Sequence, residues 1–111
     1  MKILMIARAL PAHRKGGVPD HTWMLARGIA ARGTDVHILT TRLEGGPPVV
    51  VSDGVTTHYL SRTRPDSYGG GWWPESARNT LSLHASEHFD LIHCQSSSGY
   101  AIVNDGLPRR L

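Results

Sequence analysis

With 111 residues, 40% of them hydrophobic and 19% charged, the chain has the size and composition of one globular domain with a single core. No apolar run approaches the length of a membrane span, about 18 residues, and the single cysteine excludes an intramolecular disulfide. The formal net charge of +3 indicates mild attraction to anions, but Lys and Arg are too scattered for the basic stripe of a nucleic-acid-binding protein.

The chain opens with a predicted buried strand and a loop that ends in two glycines. The near-continuous apolar run from Lys2 to Ala7 is typical of a strand that helices cover on both faces of a sheet. Pro11 and the charged residues that follow the run cannot extend it, and the loop closes at Gly16 and Gly17.

A helix is predicted from about Pro19 to Arg32. Pro19 suits the first helical position, Asp20 suits the positive end of the helix dipole, and apolar residues recur along one face. Gly33 is the expected C-terminal cap. A helix between two strands implies a parallel pair with a right-handed crossover.

Further strands of the same sheet follow. The second predicted strand is Val36 to Thr41. The Asp53-Gly54 step is a hairpin signal, so Val49 to Val51 is expected to run antiparallel at the edge of the sheet, beside a third parallel strand at Thr56 to Leu60.

The second half of the chain continues the alternation of helices and strands. The prediction is a mobile loop from Arg62 to Trp73, a helix from Pro74 to about His88, a strand at Asp90 to Cys94, a polar loop, and the start of another helix at Tyr100 to Asn104. This order predicts an α/β fold with a mainly parallel sheet. Because the chain ends where the pattern requires another strand, we expect the sheet to be incomplete.

The loop that precedes the first helix is the best candidate for a functional site. Glycines at positions 16 and 17 let backbone amides approach an anion, the helix N-terminus adds a partial positive charge, and Arg14 and Lys15 add full charges. The alternative is that the two glycines merely end a tight turn.

Other phosphate and metal chemistries fit poorly. The loop lacks the three spaced glycines of a dinucleotide fingerprint, and no Walker lysine pair follows it. His84 and His88 formally match an inverted zinc-protease motif, but a solvated helix face is the better interpretation. No metal site is therefore predicted.

Several segments, in this order and spacing, resemble the N-terminal domain of family 4 glycosyltransferases. They are the opening Met1 to Ile6, the loop Gly16-Gly17-Val18, the helix segment Leu25 to Gly33, the strand Asp35 to Thr40, and Phe89 to His93. These enzymes are retaining and metal-independent, and they have the GT-B architecture of two facing Rossmann-like domains. The resemblance implies a Rossmann-like three-layer sandwich that forms the N-terminal, acceptor-side half of such an enzyme.

The resemblance also implies a reaction and a division of labour. A sugar would pass from a nucleotide-diphosphate donor to an acceptor, and the donor diphosphate would lie against Arg14, Lys15, Gly16, Gly17 and Val18. Residues 1–111 would be one incomplete N-terminal domain, without the C-terminal domain that supplies most nucleotide contacts in similar enzymes. The catalytic residues are unassigned, and this chain alone is not expected to catalyse transfer.

Acceptor contacts are expected at four residues. His13 lies in the glycine loop, and Gln95 and Ser97 follow a strand whose carboxyl end should border the same crevice. Trp72, beside flexible glycines, could stack on a sugar or dip into a membrane interface; the alternative is that it packs against the protein.

A non-catalytic Rossmann-like domain that binds a small anion or a protein partner is the competing hypothesis. In either case the lack of a signal peptide predicts a cytoplasmic protein, with peripheral contact to the inner face of the membrane as a further expectation. The unpaired edge of an incomplete sheet makes a homo-oligomer plausible.

Overall fold

The computed structural model describes residues 1–64, 71–95, 98 and 99. These residues form the strands and helices β1 (Lys2–Ile6), α1 (Gly17–Ala31), β2 (Asp35–Thr41), β3 (Val49–Ser52), β4 (Val55–Leu60), α2 (Trp72–Glu87) and β5 (Leu91–Cys94). The further helix predicted at 100–104 and the candidate Ser97 lie outside the described residues.

The strands form one mainly parallel sheet in the order β3-β4-β2-β1-β5. β1 pairs in parallel with β2 and β5, and β2 pairs in parallel with β4. β3 runs antiparallel to β4 at the edge, with Val50 opposite Thr57. The predicted parallel sheet and its antiparallel edge strand are therefore confirmed.

Helices cover both faces of the sheet, because alternate residues of each strand point to opposite sides. On one face, Ile3 and Met5 of β1 pack in a cluster with Ala26 of α1. On the other face, Leu4 and Ile6 pack with Trp72 at the start of α2. The result is the predicted three-layer α/β sandwich with a core on each side of the sheet.

Helix α1 begins two residues earlier than predicted. The backbone N–H of Asp20 donates to the Gly16 carbonyl at 3.1 Å. This hydrogen bond closes the first turn of the helix, which therefore starts before Pro19. At the other end, Gly33 has a φ of +93° and its N–H donates to Ala30 at 3.0 Å, so it ends the helix as expected.

Helix α2 also begins two residues earlier than predicted, which corrects the boundary of the predicted mobile loop. Gly71 precedes the helix with a φ of +90°, and a Cβ there would clash with the Arg62 carbonyl oxygen. Thr63 is buried, accepts a hydrogen bond from the Arg42 N–H at 2.9 Å and donates to the Leu60 carbonyl at 2.7 Å. Both described ends of the predicted loop are thus held in place.

Charged and histidine side chains meet near the amino ends of β1 and β2, where His58 reaches them from the middle of β4. Lys2 Nζ lies 3.0 Å from Glu87 Oε1 and 3.7 Å from Asp35 Oδ2, and His37 Nε2 lies 3.3 Å from Asp35 Oδ1. His37 Nδ1 is 2.9 Å from His58 Nε2, and the two rings are stacked. We call these five residues the amino-edge cluster; it joins β1, β2, β4 and α2.

Neither α1 nor α2, the helices within the described ranges, is long and apolar enough to cross a membrane.

Candidate functional site

The candidate site lies at the carboxyl edge of the sheet. Because β1 and β5 are parallel neighbours, the loop after β1 and the loop after β5 leave the sheet side by side. The N-terminus of α1 returns to the same edge after the loop that carries Arg14 to Gly16. One edge therefore collects most of the residues that the sequence singled out.

The first turn of α1 presents backbone donors at this edge. Gly16 is the N-cap residue, and no side chain caps the helix. The first N–H groups of a helix have no partner inside it, and Pro19 has no N–H, so Gly17 and Val18 are the first two helical donors. Their position at the positive end of the helix dipole favours an anion.

The fold itself does not require glycine at positions 16 and 17. Neither residue has the left-handed φ values found at Gly33 and Gly71. A Cβ at position 16 would make only ordinary contact with Pro19 Cδ, at 3.5 Å, and one at position 17 would meet no atom within 4 Å. The tight-turn alternative therefore does not explain why both positions lack a side chain.

A cleft of about 210 Å³ lies beside this turn. The cleft brings together three of the predicted site residues, Arg14, Val18 and Gln95. The described residues that line it are Ala7, Arg8, Ala9, Arg14, Val18, Pro19 and Gln95. Lys15, Gly16 and Gly17 are not among the described residues that line the cleft, and Lys15 and Gly17 are exposed.

Ser98 holds the loop after β5 against the end of β1. Its buried hydroxyl lies 2.8 Å from the Ile6 carbonyl oxygen and 2.6 Å from the Gln95 carbonyl oxygen, and the Gln95 N–H donates to Ile6 at 2.8 Å. These bonds position Gln95 at the cleft. Within the run of serines, nothing in the sequence distinguished Ser98 from its neighbours as the anchor.

His13, which was predicted to contact the acceptor, has a structural role that the sequence did not indicate. The Leu10 N–H donates to Nδ1 at 3.0 Å, and Nε2 donates to the Thr41 carbonyl at 2.9 Å. Both ring nitrogens are therefore occupied within the protein, which fixes the neutral tautomer with the proton on Nε2. His13 ties the glycine loop to the end of β2, and neither nitrogen is available to an acceptor.

Trp72 is likewise a packing residue. Its side chain is completely buried, and its indole N–H donates to the Ser98 carbonyl at 2.9 Å. Of the alternatives for this residue, the structure supports packing, and the predicted contact with an acceptor is wrong for this conformation because no part of the ring reaches solvent.

Sequence reasoning missed Arg8, which lines the cleft directly after β1. It also missed a second cleft of about 400 Å³ at the same edge, which is lined by Arg42, Ser61, Arg62, Thr63, Arg64 and Gly71. A signal was available: residues that follow neighbouring parallel strands meet at one edge. Arg42 comes directly after β2, and Arg62 is the second residue after β4.

The described histidines and the cysteine have structural surroundings. Within the residues that the structure describes, no three His, Cys, Asp or Glu side chains lie close enough to hold a metal ion. His84 Nδ1 accepts a hydrogen bond from the Phe89 N–H at 3.1 Å, which ends α2. Burial raises the pKa of the Cys94 thiol, which favours its unreactive protonated form.

A family model described as a glycosyl transferase 4-like domain matches residues 16–110. The chain belongs to this family. The matched region begins at Gly16, the first residue of the glycine turn, and the α/β sandwich is the fold of the glycosyl transferase 4-like domain.

Solved structures show the same fold. A chain of sucrose-phosphate synthase from Thermosynechococcus elongatus is 19% identical and superposes with a TM-score of 0.76, covering 99% of this chain. Another chain of that enzyme is 17% identical with a TM-score of 0.67, covering 95% of this chain. This domain spans 30% and 58% of the two matched chains. No curated protein matches the domain in sequence.

Proposed function

We propose that this domain is the N-terminal, acceptor-side half of a glycosyltransferase that moves a sugar from a nucleotide-diphosphate donor to an acceptor with retention of configuration. The observation that carries the proposal is the glycine turn: the fold does not require glycine at positions 16 and 17, and the turn lies between Arg14 and Val18, which both line the cleft at the N-terminus of α1. Backbone without side chains permits the close approach that a diphosphate needs.

Charge supports the same assignment. Arg8 and Arg14 line the cleft with Gln95, and the Gly17 and Val18 N–H groups begin the adjacent helix. An oxyanion would meet guanidinium groups and backbone donors together, the combination that recognises phosphate in proteins. Gln95 is placed to contact the transferred sugar or the acceptor at the same cleft, and Ser97 is proposed as a further acceptor contact.

The full reaction would require a second, nucleotide-binding domain that faces this cleft, and no metal is part of the proposed chemistry. We therefore expect residues 1–111 alone to be inactive and the intact protein to transfer sugar in the presence of a chelator. A nucleotide-diphosphate donor and an acceptor are the proposed partners, with the protein acting in the cytoplasm.

The glycine turn can be tested with a matched pair of substitutions in α1. Gly17→Leu adds a side chain in the first turn of α1, next to Val18 of the cleft lining. Gly28→Leu adds one farther along α1, away from the site, and at both positions an added Cβ meets no atom within 4 Å. We expect Gly17→Leu to lower kcat/KM for the nucleotide-sugar donor by about tenfold or more, because the diphosphate can no longer approach the backbone. Gly28→Leu should leave kcat/KM unchanged.

The measurement is steady-state transfer by the intact protein across a panel of nucleotide-diphosphate sugars, with thermal unfolding to show that both variants fold. Equal kcat/KM values for the two variants would remove the glycine turn from the donor site. If the intact protein binds nucleotide diphosphates but transfers no sugar, the non-catalytic anion-binding hypothesis replaces the transferase.

A further inference from the structure

The loop after β5 is held from two sides of the protein. The side chain of Ser98 joins the loop to β1, because its hydroxyl lies 2.8 Å from the Ile6 carbonyl oxygen. The main chain of Ser98 joins the loop to α2, because the indole N–H of Trp72 donates to the Ser98 carbonyl at 2.9 Å. One residue of the loop therefore connects the end of β1 to the start of α2.

The surroundings of both residues are closely packed. The side chain of Trp72 is completely buried and lies in a core cluster with Leu4 and Ile6 of β1. On the other side of Ser98, a Cβ at Gly99 would overlap the Cys94 Sγ, so the loop lies tightly against β5. In a closely packed interior, a change at Trp72 or Ser98 is absorbed by moving the loop.

Gln95 is the described residue of this loop that lines the donor cleft, beside Arg8 and Arg14. Its N–H donates to the Ile6 carbonyl at 2.8 Å, and its carbonyl oxygen lies 2.6 Å from the Ser98 hydroxyl and accepts from the Ser98 N–H at 3.2 Å. Both main-chain groups of Gln95 are therefore fixed, and Ser98 holds one of them with two donors. The neutral side-chain amide can donate and accept hydrogen bonds, which suits the hydroxyl groups of a sugar.

We propose that Trp72 and Ser98 are positioning residues for sugar transfer, which act on the reaction by fixing Gln95 at the cleft. The inference rests on the proposed transferase function, in which Gln95 contacts the transferred sugar or the acceptor. It adds two residues that touch no substrate in this conformation, because both are completely buried. A displacement of about 1 Å in a group that contacts the reacting sugar can lower the rate about 100-fold.

The proposal predicts an effect on kcat and not on donor binding. The donor diphosphate is assigned to the glycine turn and the arginines, which Ser98 does not hold. Loss of the Ser98 hydroxyl should therefore lower kcat and leave KM for the nucleotide-sugar donor within about twofold of the wild-type value.

The first test compares two completely buried serines in the intact protein. Ser98→Ala removes the hydroxyl that holds the loop, whereas Ser76→Ala removes a hydroxyl that bonds to the Trp73 carbonyl inside α2. With the donor found in the transfer assay, we expect Ser98→Ala to lower kcat by about tenfold and Ser76→Ala to leave it unchanged. Trp72→Phe keeps an aromatic ring in the core, removes the indole N–H and should also lower kcat.

A double-mutant cycle tests whether Ser98 acts through Gln95. Gln95→Ala removes the side chain that Ser98 is proposed to position, so adding Ser98→Ala to it should lower kcat by less than about twofold further. A purely structural role of Ser98 would lower kcat by the same factor in both backgrounds and would overturn the proposal. Equal effects of Ser98→Ala and Ser76→Ala, or a raised donor KM with unchanged kcat, would overturn it as well.

Nuclear magnetic resonance separates this proposal from the proposed function. The side-chain amide signals of Gln95, assigned by their loss in Gln95→Ala, should shift in Ser98→Ala and Trp72→Phe and stay in place in Ser76→Ala. If they shift but the wild type transfers no sugar, the positioning of Gln95 stands and the transferase fails. If they do not shift, the proposal fails even where sugar is transferred. Thermal unfolding shows which variants fold, and Trp72→Phe takes the place of Ser98→Ala in the cycle if the latter does not.

Discussion

His13 shows how one side chain holds the loop that forms the candidate site. Its ring accepts a hydrogen bond from the Leu10 N–H and donates one to the Thr41 carbonyl, so the loop after β1 is fastened to the end of β2. The ring also contacts Tyr59, whose pKa is raised by burial. The sequence placed His13 in this loop but could not predict its role, because the Thr41 carbonyl is 28 residues away.

We expect His13→Ala to destabilise the domain by about 1–3 kcal/mol, because both partners lose a hydrogen bond in a half-buried position. Urea unfolding measures the change. His21→Ala, at an exposed position on α1, is the control and should change the free energy of unfolding by less than about 0.5 kcal/mol. Equal effects of the two substitutions would show that His13 does not fasten the loop.

At the scale of elements, local patterns predicted the strands and helices well. The apolar run of β1, the helical spacing of α1 and the Asp53-Gly54 turn each depend on a few neighbouring residues, and all three were confirmed. The start of α2 was misplaced because it depends on a distant contact: Trp72 packs in the core and bonds to Ser98, 26 residues away. For the same reason, the sequence could place Gln95 at the strand end but could not identify the anchor that holds it.

Gly71 gives the element-scale prediction. Its φ of +90° and its close approach to the Arg62 carbonyl exclude a side chain. We expect Gly71→Ala to destabilise the domain by about 1–3 kcal/mol, since it forces strain at the start of α2. Thermal unfolding measures this, with Gly28→Ala as a control that should be neutral or stabilising because an exposed helical glycine gains from alanine. A neutral Gly71→Ala would mean that the turn is not fixed as described.

At the scale of the whole molecule, the amino-edge cluster links stability to pH. Burial, and then the neighbouring His37, lower the pKa of His58 below its ordinary value of 6.5, with a smaller opposing effect from Glu87. Below pH 6.5, His58 is protonated more readily in the unfolded chain than in the folded protein. The free energy of unfolding is therefore unaffected by His58 above about pH 6.5, and it decreases as the pH falls from there towards the lowered pKa.

We expect the thermal unfolding midpoint of the wild type to decrease as the pH is lowered from about 7.5 to about 5, the range in which histidine titrates. The midpoint of His58→Gln should depend less on pH. His21→Gln, which removes an exposed histidine, should retain the wild-type slope. Glu87, whose pKa is lowered by its hydrogen bond to Lys2, starts from 4.5 and acts below this window. Parallel curves for the wild type and His58→Gln would exclude His58 as the group responsible.

The two edges of the sheet differ in charge. Among the described residues around the carboxyl edge, the basic side chains outnumber the nearby carboxylates: Arg8, Arg14, Lys15, Arg42, Arg62 and Arg64 against Asp20, Glu44 and Glu75. At the amino edge, Asp35, Glu87 and Asp90 surround Lys2. An approaching anion would therefore be attracted towards the carboxyl edge before any contact forms, and this attraction would speed its association with the protein. Increasing the salt concentration would then slow association as well as weaken the final complex.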